Sequence, residues 1–192
     1  MTGRTHDLAA ATALGIIALQ YPPAHLSVGT MVVALIANQI GGIAPDIDQP
    51  TAPLWRNLPV GGVFGRIFAR LLGGHRFLTH SLAGVALVGY ATWWLVSFIH
   101  PIMPSVDIVI VWQAFMIGVV SHLVMDSFTE EGVPWLLPVP IKFGFPPIRA
   151  WRITTGAFGE TVIVFPALVL FNLWYFQAHY RLILELLQRR LS

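Results

Sequence analysis

The sequence predicts an all-α fold: a polytopic transmembrane helical bundle of about five spans, with interfacial amphipathic or re-entrant segments between them. Three observations carry this. Of 192 residues, 56% are hydrophobic and only 10% are charged, whereas soluble domains carry about 25% charged residues. Mean hydropathy is +0.71. Apolar runs recur at the length of a bilayer crossing, roughly 20 residues. No internal repeat divides the chain, so residues 1–192 read as one membrane-embedded domain. A net charge of only +2, with its basic residues held in loops, excludes a nucleic-acid surface. The absence of cysteine excludes disulfides and thiolate metal ligands.

The expected spans follow in order. His6 to Tyr21 is the shortest, and Pro22-Pro23 ends it. It is read as mature structure, because "QYPPAHLS" is a poor signal-peptide cleavage site. Leu26 to Ala44 carries no charge, and Pro45 disfavours helix at its end. Phe77 to Ile99 and Val106 to Met125 form a pair joined by the turn "HPIMPS". Gly156 to Gln177 is the last. Between them, "VFGRIFARLL" suits an amphipathic helix lying in the interface. Ser127 to Thr155 is too broken by proline and glycine to span and reads as an interfacial or re-entrant loop, and the tail "HYRLILELLQRRLS" is a second amphipathic candidate.

Five spans put the N-terminus and the two long loops on one side. That side holds Arg4, Arg56, Arg66, Arg70, Arg76, Lys142, Arg149 and Arg152, eight of the eleven basic residues. The positive-inside rule places it in the cytoplasm, in a bacterial or archaeal inner membrane.

The same side collects the ligand-type residues. His6 and Asp7 begin the first span, Asp46 and Asp48 follow the second, and His75 and His80 straddle the start of the third. His122 and Asp126 close the fourth, and Glu160 opens the fifth. His122 and Asp126 are four apart and share a helix face. Asp46 and Asp48, if extended, aim the same way. Taken singly, HxxxD is most often a structural hydrogen bond and DxD a cap. Their joint placement on one membrane face carries the inference. Clustered carboxylates repel, and a divalent cation removes that penalty. One or two ions are expected; mixed nitrogen and oxygen donors suit zinc first, then manganese or iron.

The motifs "APDID", "GHRFLTHS" and "GVVSHLVMDSFTEEGVPWLLP", with His6 on the first segment, resemble the YdjM-type family of inner-membrane metal-dependent hydrolases, from Thr5 to about Phe165. The resemblance implies metal-site residues His6, Asp46, Asp48, His75, His80, His122 and Asp126, together with Glu160. A more distant likeness is to zinc-dependent phospholipases C. Gln49 stands where many members have histidine, which would remove one ligand, and Phe77 where glycine is common.

The expected function is metal-dependent hydrolysis, at the cytoplasmic interface, of a phosphoester or ester bond in a lipid-linked substrate. His80, His122, Asp126 and Asp48 are the expected direct ligands, with Asp46 or His75 bridging or orienting. Glu160 is the expected general base. Arg76 or Arg152 would neutralise a phosphate oxygen. The expected partners are membrane lipids and that substrate, and the sequence assigns no oligomeric state. Rival readings are a metal or proton transporter, a non-catalytic membrane metal-binding protein, and a metal-free lipid phosphatase. The last lacks its Lys-x6-Arg-Pro element here, and the apolar far halves of the spans offer a transporter no polar route.

Overall fold

The computed structural model describes all residues except Pro53, Leu54, Arg56, Asn57, Leu72, His75, Pro140 and Ser192; beyond Leu186 only the backbone is described. His75 and Arg56 therefore lie outside the described residues. Among the described residues seven α-helices follow one another: α1 (Gly3–Gln20), α2 (Val28–Ile43), α3 (Gly61–Leu71), α4 (Leu82–Ile99), α5 (Ile108–Ser127), α6 (Phe165–Ala178) and α7 (Tyr180–Leu191). There is no strand among the described residues, only isolated bridges pairing Thr129 with Ile153 and Val133 with Phe143.

Three helix starts, those of α2, α4 and α5, are set by side-chain caps. Ser27 accepts from Thr30 N, Ser81 from Gly84 N, and Asp107 Oδ1 from Val109 N and Ile110 N, each satisfying amides that the first helical turn leaves unpaired. The Ser81 cap moves the start of α4 from the expected Phe77 to Leu82. Before it, Gly73, Gly74 and Arg76 all have positive φ and hold the chain in a turn. α2 passes into a 3-10 turn over Ala44–Asp48. α6 is preceded by a π-helical turn over Gly159–Val164, a departure from α-helix that often marks functional sites.

Among the described residues four helical stretches are long and apolar enough to cross a bilayer: Val28–Asp48, Leu82–Ile102, Ile108–Ser127 and Gly159–Ala178. α1 carries more polar residues but lies against α2, α5 and α6 as a member of the same bundle. The amphipathic "VFGRIFARL", Val63 to Leu71, lies in α3, with Val63, Phe64, Ile67 and Leu71 exposed.

At the centre α2 and α5 cross at backbone contact. A Cβ on Gly41 would lie 2.1 Å from Phe115 O, and one on Gly118 2.2 Å from Asn38 O. Small residues at helix crossings are how membrane bundles gain packing where water supplies no driving force. Asn38 Nδ2 donates to Ala114 O across the same seam. Gly118→Ala must push backbone against backbone, so it should destabilise the protein by about 1–3 kcal/mol, read as a lowered unfolding midpoint in detergent.

Candidate metal centre

The α2–α5 crossing sets up the first ligand-type group. Because the helices touch at Gly41, Gly42 and Gly118, the Gly42 carbonyl reaches His122 Nδ1 at 2.6 Å. Nδ1–H donates to it, so Nε2 is left with its lone pair, the tautomer a metal requires. His122 Nε2 is fully buried with no hydrogen-bond partner.

Four segments bring their donors to this nitrogen. Asp46 Oδ1 from the 3-10 turn lies 3.6 Å away. Asp126 Oδ2, one turn further along α5, lies 3.7 Å away. His80 Nε2, from the loop before α4, is 3.6 Å from Asp126 Oδ2 and 3.9 Å from Asp46 Oδ1. His6 of α1 stacks on His122 with ring centroids 3.7 Å apart, and its Nε2 is 3.2 Å from Asp126 Oδ1. The α-amino group of Met1 also lies against Asp126 Oδ1. Among the described residues two overlapping groups result, His6–His122–Asp126 and Asp46–His80–His122, each with its donor atoms within 4.8 Å of one another. Donors about 2.0–2.2 Å from a tetrahedral zinc stand about 3.4 Å apart, so separations of 3.6–3.9 Å need only a small contraction. The donor set fits a mixed N/O cation site.

Asp48 is placed differently from the expectation. Residues of a 3-10 turn advance about 120° each, so Asp46 and Asp48 point apart rather than together. Asp48 is fully buried and accepts from Arg76 N at 3.0 Å and from Thr79 Oγ1, and lies 3.4 Å from His80 Nδ1. It orients His80 while Asp46 takes the place facing Nε2. Burial works against a charge on His80, but Asp126 and Asp48 outweigh it and raise its pKa.

Glu160 and the two arginines also have their side chains committed elsewhere. Glu160 is fully buried; Oε1 accepts from Thr2 N, Thr2 Oγ1 and Thr5 Oγ1, each at 2.6 Å, and Oε2 from Gly156 N at 2.8 Å. It anchors the start of α1, and with it His6, rather than standing ready as a base. Arg76, 5% exposed, gives Nη2 to Asp126 Oδ2 at 2.7 Å and Nη1 to Thr129 Oγ1 at 2.7 Å and Gly132 O. A buried guanidinium so bonded is not open to a substrate phosphate. Arg152 donates to Pro146 O and Pro147 O and closes the turn from Pro146 to Arg152.

Thr5, Thr79, Thr129 and the Gly42 carbonyl are site residues that sequence reasoning missed. A signal existed for two of them: "TH" occurs twice, as Thr5-His6 and Thr79-His80. In both, the threonine hydroxyl donates to a buried carboxylate, Glu160 or Asp48.

A bundle of apolar helices closing on a buried His/Asp cluster defines an integral membrane protein of the α-helical class. The sequence profile described as YdjM inner membrane protein matches residues 1–189, and the chain belongs to the YdjM family. The Uncharacterized protein YvsG of Bacillus subtilis (strain 168) is 28% identical over 177 residues, 92% of this chain and 94% of that protein. The Inner membrane protein YdjM of Escherichia coli (strain K12) is 31% identical over 109 residues, 54% of this chain and 48% of that protein; the Shigella flexneri protein of the same name matches equally. The chain thus spans about half the length of these two relatives. No solved structure matches it.

Arg76 adopts φ +56°, a left-handed backbone that a non-glycine residue holds only under constraint. Arg76→Ala removes the guanidinium from buried Asp126 and should cost about 3–5 kcal/mol, read from unfolding in detergent. Arg76→Lys should recover only part, since an ammonium cannot span Asp126, Thr129 and Gly132 together.

Proposed function

We propose that the chain is a membrane-bound, metal-dependent hydrolase that acts at the cytoplasmic interface on a phosphoester or ester bond of a lipid-linked substrate. One observation carries the reading: His80, His122, Asp46 and Asp126, from three separate segments of the chain, converge on a common space with donor separations of 3.6–3.9 Å. A divalent cation there, zinc before manganese or iron, would supply Lewis acidity toward a phosphoryl or acyl oxygen.

The chain's own residues then divide the work. His80 Nε2, His122 Nε2, Asp46 and Asp126 hold the cation. Asp48 and Thr79 fix the His80 ring from its Nδ1 side, and the Gly42 carbonyl does the same for His122. Such outer partners are commonly worth 10–100-fold in metal affinity. His6, on Asp126 Oδ1, is the donor available to a second ion. Arg76 balances the charge of Asp126, and Glu160 keeps α1 in register with the site. Asp46, 21% exposed where the histidines are buried, is the member that water reaches.

Purification in mild detergent without chelation, followed by mass-spectrometric metal analysis, tests this. The wild type should carry zinc, manganese or iron; His122→Ala should lose it. Asp48→Asn should keep the site but bind about 10–100-fold more weakly. No metal in the wild type, even after resupply, overturns the reading. Bound metal without cleavage of any phosphoester or ester lipid offered in vesicles would favour a non-catalytic metal-binding or transport role.

A further inference from the structure

Between α1 and α5, within the membrane-spanning part of the bundle, lies an open trough of about 780 Å³. Its walls are two straight helical rows, Ala9, Ala13 and Ile17 on α1 and Met116, Val120 and Val124 on α5, each spaced by four residues. Leu168 of α6 flanks them. The small side chains of Ala9 and Ala13 leave the space open. Ile17, Val120 and Val124 are 41–43% exposed, so the trough faces the surrounding lipid directly.

Three features decide what belongs there. The first is chemistry. Thr12 Oγ1 is bonded to Leu8 O and Asn172 Nδ2, Ser121 Oγ to Gly118 O, and Trp112 Nε1 to Gly89 O. The hydrogen-bonding atoms of these three side chains are turned to other partners; Gln113 and Tyr21 add polar groups to the wall, and the rest of the lining is mostly hydrocarbon. The second is length. From Trp112 to Val124, or from Ala9 to Tyr21, the trough runs about 18 Å at 1.5 Å per residue, against about 15 Å for one bilayer leaflet. The third is where it stops. On α5 it reaches Ser121 and Met125, the residues just before His122 and Asp126; on α1 it reaches Ala9, one turn from His6. A chain lying in it would bring whatever it carries to the level of the His/Asp cluster.

We propose that this trough seats one hydrocarbon chain of the lipid on which the site acts, extended along α1 and α5, with its polar end at the cluster. The assignment rests on the hydrolase reading for the word "acts", but the seat itself is readable without turnover. The bilayer is the adjoining phase, so the occupant enters sideways from lipid and needs no path through water.

Photo-labelling tests it: phosphatidic acid bearing a diazirine at the end of one acyl chain, in nanodiscs of phosphatidylethanolamine and phosphatidylglycerol. Labels should concentrate on the peptides containing Ile17 and Tyr21, over the exposed Trp94 and Phe98 of α4. They should persist in His122→Ala. In Ala13→Trp, which fills the trough, they should fall to the α4 background while metal content stays that of the wild type. If that variant does not fold, Val120→Trp blocks the opposite wall. Equal labelling of trough and α4, undiminished labelling in a folded tryptophan variant, or crosslinks at these positions to a second copy of the chain would each overturn the seat. Trough labelling in a protein that never binds metal would overturn the hydrolase reading and leave the seat standing.

Discussion

The end of the bundle is organised around one buried carboxylate. Asp126, 1% exposed at the end of a spanning helix, would be costly there without compensation, because charge at low dielectric must be paired or coordinated. Its two oxygens meet His6, His80, His122 and Arg76. Those residues come from α1, the loop before α4, α5 itself, and the turn that Gly73 and Gly74 open. Meeting the demands of one anion therefore draws together segments far apart in the chain.

The same logic repeats at lower level. Each Thr-His pair docks its hydroxyl on a fully buried carboxylate, Thr5 on Glu160 and Thr79 on Asp48. Those carboxylates in turn receive backbone amides, Gly156 and Thr2 for Glu160 and Arg76 for Asp48. His6 and His80 are thus placed through carboxylates that a neighbouring threonine hydroxyl and backbone amides hold. The α2–α5 crossing supplies the remaining constraint. Its glycines bring a main-chain carbonyl to His122, so the packing of the membrane part determines which imidazole nitrogen is exposed to the site.

Much of this was legible before any coordinates. Apolar runs gave the helices because period and length alone determine what can cross a bilayer, and "VFGRIFARL" lies in α3 as its amphipathic pattern required. The spacing of His122 and Asp126 placed them together because one α-helical turn is a fixed geometry. The Asp46/Asp48 pair failed for the matching reason. DxD has no single geometry, and the Pro45-led 3-10 turn separated two side chains that an extended segment would have aligned. The start of α4 slipped by five residues because Ser81 caps it, a choice between near-equivalent polar residues that local sequence ranks poorly.

The sequence by itself determined an all-helical membrane protein with His and Asp residues gathered on one face, since hydropathy, helical period and charge bias are local and additive. Only the tertiary structure decided what each polar residue does. Asp46 and Asp48, Glu160, Arg76 and Arg152 are chemically open to ligand, base or anion-binding roles. What closed those choices was the set of partners each group meets: four donors for Glu160, a carboxylate acceptor for Arg76, carbonyl acceptors for Arg152. A buried polar group must be satisfied by whatever neighbours the fold supplies, and those neighbours are distant in sequence.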